Sequence, residues 1–213
     1  MKKYDLIKSI NSSVTLHNND SNVILHEDIL DILFKHKEEI YRKLIDLRGT
    51  FLIDHIAIKI IDPNNKILIF SITPSVEYNL IVQGLWKHDK SFSLNFQKNN
   101  SFYIWEEAYP EKYFDELKSI KELKHGFTFG FNLSKTIGSF NLTYSFATRS
   151  KNNKLLEYYQ SHINELFALG DYGYKLIHNI YANYCNPQFN LPTGAQNRNY
   201  YEKPILKLIV NNK

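Results

Sequence analysis

The chain has 213 residues, 43% of them hydrophobic and 23% charged, the composition of a globular domain long enough to bury its own core, which excludes a disordered chain. Its formal charge of +4 is dispersed rather than gathered into a stripe, so it gives no electrostatic footprint for nucleic acid. One cysteine, Cys185, excludes an internal disulfide and paired-cysteine zinc motifs, and without a long apolar run or a secretory signal the expectation is a cytoplasmic protein with no membrane span.

Ser9 to Asn22 is rich in Ser, Asn and His, so residues 1–22 are expected to be a loosely structured lead-in. Ile29, Ile32, Leu33, Ile40, Leu44 and Leu47 then recur at three- and four-residue spacings, which predicts one helix that Gly49 stops. Phe51 to Ile61 alternates and is β-branched, Asp62-Pro63-Asn64-Asn65 is turn chemistry, and Lys66 to Ile72 is a second strand, so the three form a hairpin. Pro74 opens a short helix toward Trp86, Ser101 to Trp105 is a short strand, and Pro110 starts a helix over Glu111 to Leu123. Gly126 to Leu133 and Ser139 to Thr148 form two more strands, joined by a turn at Thr136 to Gly138. Asn153 to about Tyr184 is a long helix, expected to bend near Gly170 and Gly173. From Asn186 the chain is rich in Asn and Pro. Residues 23–185 thus read as one folded domain and 186–213 as an irregular tail with a short apolar element at Ile205 to Val210.

This order predicts an α+β fold: an α/β/α sandwich around a four- or five-stranded antiparallel sheet. Strands as apolar as Phe51 to Ile61 need cover on both faces. The first and last helices can cover one face and the middle helices the other, where a groove can form.

With the elements placed, the region from about Phe51 to Ala147 resembles the autoinducer-binding domain of LuxR-family quorum-sensing transcription regulators. The resemblance is carried by an ordered set: Thr73-Pro74, then Gly84-Leu85-Trp86-Lys87-His88-Asp89, Trp105 in Tyr103-Ile104-Trp105-Glu106, His125-Gly126-Phe127-Thr128, Gly138, and Tyr144-Ser145-Phe146-Ala147-Thr148. It implies a PAS-like sensory fold that binds a small acyl-type ligand, dimerises and takes no metal or other cofactor. It also implies that Asp89 accepts a hydrogen bond from a ligand amide and that Trp105 is a flat wall against it. An aspartate at a helix end in water and a tryptophan in the core are the alternatives. Tyr78, Leu80, Trp86, Gly126, Phe129 and Tyr144 complete the candidate site, with core packing open beside pocket lining for the last two.

The chain departs from the family at three places. Counting back from Asp89 puts Val76 and Leu80 where the family carries a Trp and a Tyr, with Tyr78 out of phase, and Lys90 stands for a proline. A lactone carbonyl would lose a donor there, at a cost of about 1–3 kcal/mol if it stayed unpaired. Only a short tail follows the long helix, with Pro204 inside Tyr200 to Val210, so no helix-turn-helix is expected and direct nucleic-acid binding would need a further part.

Two other classes remain open. No nucleophile elbow, P-loop, dinucleotide glycine pattern or zinc helix is present, which argues against an enzyme. Glu106 and Glu107 beside Trp105 are the adjacent acids that could serve acid–base chemistry, and Cys185 and His178 could pair only with difficulty. A protein–protein module would use Tyr158, Tyr159, Phe167, Tyr172, Tyr174, Tyr181 and Tyr184 of the long helix. Fifteen Tyr and fourteen Phe suit a pocket or an interface, or simply an aromatic-rich core.

Overall fold

A computed structural model describes residues 23–185 and Gln188. The expected lead-in and the tail beyond it, including Ile205 to Val210, lie outside the described residues. The chain begins with β1 (Ile24–Leu25), α1 (Ile29–Lys35) and α2 (Lys37–Leu44), followed by β2 (His55–Ile61), β3 (Lys66–Ser71) and α3 (Pro74–Val82). Next come α4 (Leu94–Asn99), β4 (Phe102–Ile104), α5 (Phe114–Lys121), β5 (Phe129–Ile137), β6 (Phe140–Thr148), α6 (Leu155–Ser161) and α7 (Ile163–Ala182).

Among the described residues the sheet has six strands, in the order β1-β3-β2-β6-β5-β4. β1 runs parallel to β3, and the other pairs are antiparallel. This corrects the expected four or five antiparallel strands. β1 has only two residues, too few for an alternating pattern to register.

Successive side chains on a strand face opposite ways, and the two faces bury separate clusters. Ile56, Ile58, Ile60, Phe70, Tyr144 and Phe146 pack with α2, α6 and α7 on one face. Ala57, Ile61, Ile67, Ile69 and Ala147 pack with α1, α3 and α5 on the other. Helices therefore cover both faces, as the apolar strands require.

Three local expectations change. The predicted first helix is two helices broken at His36 (φ −97°, ψ 8°). Ile29, Leu30 and Leu33 of α1 feed one cluster, whereas Ile32 joins Ile40, Leu44 and Leu47 in the other. The last helix breaks at His162 rather than near the glycines, and α7 runs unbroken through them. Gly170 and Gly173 are instead close-packing positions: a Cβ at Gly170 would lie 2.1 Å from the Tyr144 ring, and one at Gly173 3.3 Å from Ile58 and Leu47. Finally, β2 starts at His55 because Phe51 and Leu52 take left-handed conformations (φ 53° and 62°) that end any extended run before it.

Candidate functional site

The two faces of the sheet differ in chemistry. The face under α2 and α7 carries aliphatic and aromatic side chains from every long strand. On the other face His55 and Lys59 of β2, Asn132 and Ser134 of β5, and Thr143 and Ser145 of β6 form a polar strip, all buried. Burying such groups is costly unless each finds a partner, so a polar strip in mid-sheet calls for something above it.

Above it lies a cavity lined by His55, Lys59, Glu77, Asp89, Trp105 and Lys121, with Val76, Leu80, Ser91 and Phe92 completing the wall toward α3. It offers about 20 Å³ to water-sized occupants, room for a water or two. Asp89 opens a short 3₁₀ turn over Lys90–Phe92, and its Oδ1 accepts the Ser91 backbone N–H at 2.9 Å. Its Oδ2 accepts from Lys121 Nζ at 2.9 Å, with the two side chains 0% and 5% exposed. Burial works to raise the Asp89 carboxyl, but Lys121, Lys59 and the two hydrogen bonds outweigh it and hold the group below its ordinary value. Asp89 is therefore an anion in a dry place.

Lys121 also stands 4.7 Å above the Trp105 ring, whose indole N–H donates to Ser145 Oγ at 3.1 Å. Trp105 lies so close over β5 that a Cβ at Gly130 would be 2.1 Å from it. The absence of a side chain at Gly130 is what lets the indole lie flat on the strip. Lys59 donates to the Ser91 hydroxyl (2.9 Å) and carbonyl (3.2 Å) and sits 4.4 Å from the centre of the Phe92 ring. Burial brings its ammonium down to about 7.

His55 Nε2 lies 3.8 Å from Glu77 Oε1. Burial, aided by the charges of His125 and Lys121, depresses His55 to about 3, so the imidazole is neutral, and burial pushes the Glu77 carboxyl up to about 7. His55 Nδ1, Glu77 Oε2 and Trp86 Nε1 are buried without hydrogen-bond partners. Farther along the strip, Asn132 has neither amide atom in a hydrogen bond, and the Tyr103 hydroxyl has none of normal geometry either, although the two groups are near enough to perturb one another. Unpaired buried polar atoms are uncommon in folded proteins and ask for a specific cause, such as water or a ligand.

Glu77 gives a pH signature. A carboxyl raised in the folded state contributes stability that is complete below its unfolded value near 4.5 and lost as pH rises through about 7. Glu77→Gln is expected to gain roughly 1–3 kcal/mol on wild type between pH 5 and pH 8, read by urea denaturation at both. A difference that stays constant across that range would mean that the carboxyl is hydrated or paired.

Of the residues singled out in the sequence, Asp89, Trp105 and Leu80 line this one cavity. Trp86 is buried behind it, edge-on to Phe92 at 6.0 Å. The other four are elsewhere. Tyr78 is 37% exposed and packs on Phe34 at 5.1 Å, because its position on α3 points away from the sheet. Gly126 (φ 67°) closes the turn after α5, where a Cβ would stand 4.0 Å from Arg149 Nε. Phe129 and Tyr144 pack in the apolar cluster on the opposite face, the parity of their strands placing them there.

Glu106 and Glu107 point outward: Glu106 pairs with Lys118, and Glu107 accepts the Ile104 N–H. Of the aromatic residues on α6 and α7, Tyr159, Tyr174 and Tyr181 are fully buried, and Tyr172 is the exposed one, at 38%. Among the described residues no group of three His, Cys, Asp or Glu is placed to hold a metal ion, and no helix is long and apolar enough to cross a membrane.

Sequence reasoning missed His55, Lys59, Glu77 and Lys121. A signal existed for two of them: His55, Ala57 and Lys59 alternate with Ile56, Ile58 and Ile60, which marks one polar face on a strand that pairs on both edges.

No protein-family model matches the chain, and no curated protein does. Two solved structures of SdiA are similar to it. One, from Escherichia coli, has 13% identity and a TM-score of 0.47 over 73% of this chain and 66% of its own. The other, SdiA in complex with octanoyl-rac-glycerol, has 12% identity and a TM-score of 0.46 over 90% of this chain and 72% of its own. The chain thus spans about two thirds of the length of the first. A likeness at these scores fixes neither a ligand nor any residue's role.

Proposed function

We propose that the chain is a small-molecule-binding sensory domain on a PAS-like layout, cytoplasmic and acting as a dimer, whose ligand sits over the polar strip between Asp89 and Trp105. The observation that carries this reading is the concentration of buried charged groups, His55, Lys59, Glu77, Asp89 and Lys121, around one cavity on one face, while the opposite face is packed with aliphatic and aromatic side chains. A structural core has no need of that asymmetry. Asp89 keeps unused acceptor capacity beyond Ser91 and Lys121, since a carboxylate offers about four lone-pair sites. It can therefore take an amide N–H. Trp105 gives the ligand a flat wall, and Val76, Leu80 and Phe92 give an acyl chain an apolar one.

The cavity holds only water-sized occupants as it stands, so an acyl ligand must displace side chains of α3 and of the turn Lys90–Phe92. That displacement is the conformational signal. N-octanoyl-homoserine lactone and octanoyl-glycerol are the probes. The expected result is a rise in melting temperature that grows with probe concentration, about 2.7 kcal/mol of added stability at a hundred times Kd. For the lactone it should be lost in Asp89→Asn, and for both probes in Trp105→Ala. Native mass spectrometry of the purified protein should show a retained mass. No stabilisation by either probe together with no retained mass would end this reading.

A further inference from the structure

Lys59 is the unbalanced charge of the cavity. Its side chain springs from the middle of β2, between two paired strands, and the residue is 5% exposed. An ammonium has three donors. Two go to the hydroxyl and carbonyl of Ser91, and no carboxylate among the described residues comes within 4.0 Å of it. Of the carboxylates that share the cavity, Asp89 pairs with Lys121, and Glu77, 3.8 Å from His55, is pushed up to about 7 by burial and so stays protonated below that. Two ammonium groups thus stand over one committed carboxylate anion, and a buried ion of that kind is costly until a counter-charge meets it.

Ser91 ties Lys59 to the ligand's expected anchor. Its backbone N–H donates to Asp89, and its hydroxyl accepts from Lys59. Acceptor and cation therefore flank a single residue. A ligand that offers an amide N–H and, an atom or two away, an anion would satisfy both.

We propose that the cavity recognises an N-acyl amino acid, its amide N–H on Asp89 and its carboxylate on Lys59, rather than a neutral lactone or ester. This rests on the sensory reading for the Asp89 contact and adds the carboxylate. Val76 and Leu80, which give a lactone carbonyl no donor, then serve the acyl chain instead. The preference for an anion carries a pH dependence set by the groups around Lys59. Asp89, bonded to Lys121 at 2.9 Å and held below its ordinary value, stays an anion, and His55 stays neutral. As pH rises through about 7, Lys59 loses its proton and Glu77 gains a negative charge, and both changes weaken anion binding.

The test compares N-octanoylglycine with its uncharged methyl ester by calorimetric titration of the full chain at pH 6.5, with octanoyl-glycerol as a third probe. The acid is expected to bind at least tenfold more tightly than the ester. In Lys59→Met that preference should collapse to within threefold. In the wild type alone, the preference should fall at least fivefold between pH 6 and pH 8.5, a readout that does not depend on the variant folding. An ester that binds as well as the acid would overturn the carboxylate assignment and leave the sensory reading standing. Silence from all three probes would overturn both.

Discussion

Lys121→Ala should destabilise the protein by about 3–5 kcal/mol, because it leaves a buried carboxylate without its cation. Asp89 is 0% exposed at its side chain and bonded at 2.9 Å to Lys121. Once the ammonium is gone, the Ser91 N–H and the more distant Lys59 are what remains to hold the charge. The double substitution Asp89→Leu with Lys121→Met should recover most of the loss, since replacing a whole buried pair by apolar groups of similar volume is often neutral or better. The sign with pH follows from Asp89, whose carboxyl is held below its ordinary value in the folded state. Its contribution is present above the unfolded value near 3.8 and lost as pH falls through the lower folded one. The deficit of Lys121→Ala should therefore be full at pH 7 and shrink toward pH 3. Urea denaturation of the single and double variants closes the cycle. A single-variant loss below about 1 kcal/mol, in the range of surface ion pairs, would show that the pair is bathed in water and that the cavity is not the dry site described.

Gly170→Ala poses two effects of opposite sign. Helix propensity favours alanine by about 1 kcal/mol in a helix interior, and a glycine kept only for bending would give that gain. The packing says otherwise. A Cβ there would lie 2.1–2.6 Å from three atoms of the Tyr144 ring, and that ring is fully buried in the apolar cluster between β6 and α7. Overpacking a core costs about 1–3 kcal/mol and at times more, and here the intruder meets an aromatic ring that cannot fold aside. The net expectation is a destabilisation of about 1–3 kcal/mol, measured by thermal or urea unfolding. A stabilised variant would restore the bend as the reason for the glycine.

The elements that were legible in the sequence are those with a period and a punctuation mark. The β2–β3 hairpin could be read because Asp62 closes its turn by accepting the Asn64 and Lys66 N–H groups, both at 2.8 Å. The β5–β6 pair could be read from its alternating aromatics, although β5 starts later and runs further than expected, from Phe129 to Ile137, and β6 starts one residue later, at Phe140, which leaves a two-residue turn at Gly138 and Ser139. The helix breaks at His36 and His162 could not, because neither coincides with a glycine or a proline. His36 is held in place by a 2.7 Å hydrogen bond to Tyr184, 148 residues away, which no local window contains.

The site divides in the same way. Sequence order and composition determined an α+β chain with helices on both sides of a sheet, and the family resemblance offered eight candidate residues, of which Asp89, Leu80 and Trp105 line one cavity. Only the tertiary structure decided which sheet face is polar, and so sent Phe129 and Tyr144 to the opposite face. It alone brought Lys59 and Glu77 around Asp89 from two separate elements, and Lys121 from a third. The reason is that strand parity and helix phase set the direction of each side chain locally. The charge that each one meets is set by chain folding across separations longer than a local window, as between Asp89 and Lys121, 32 residues apart.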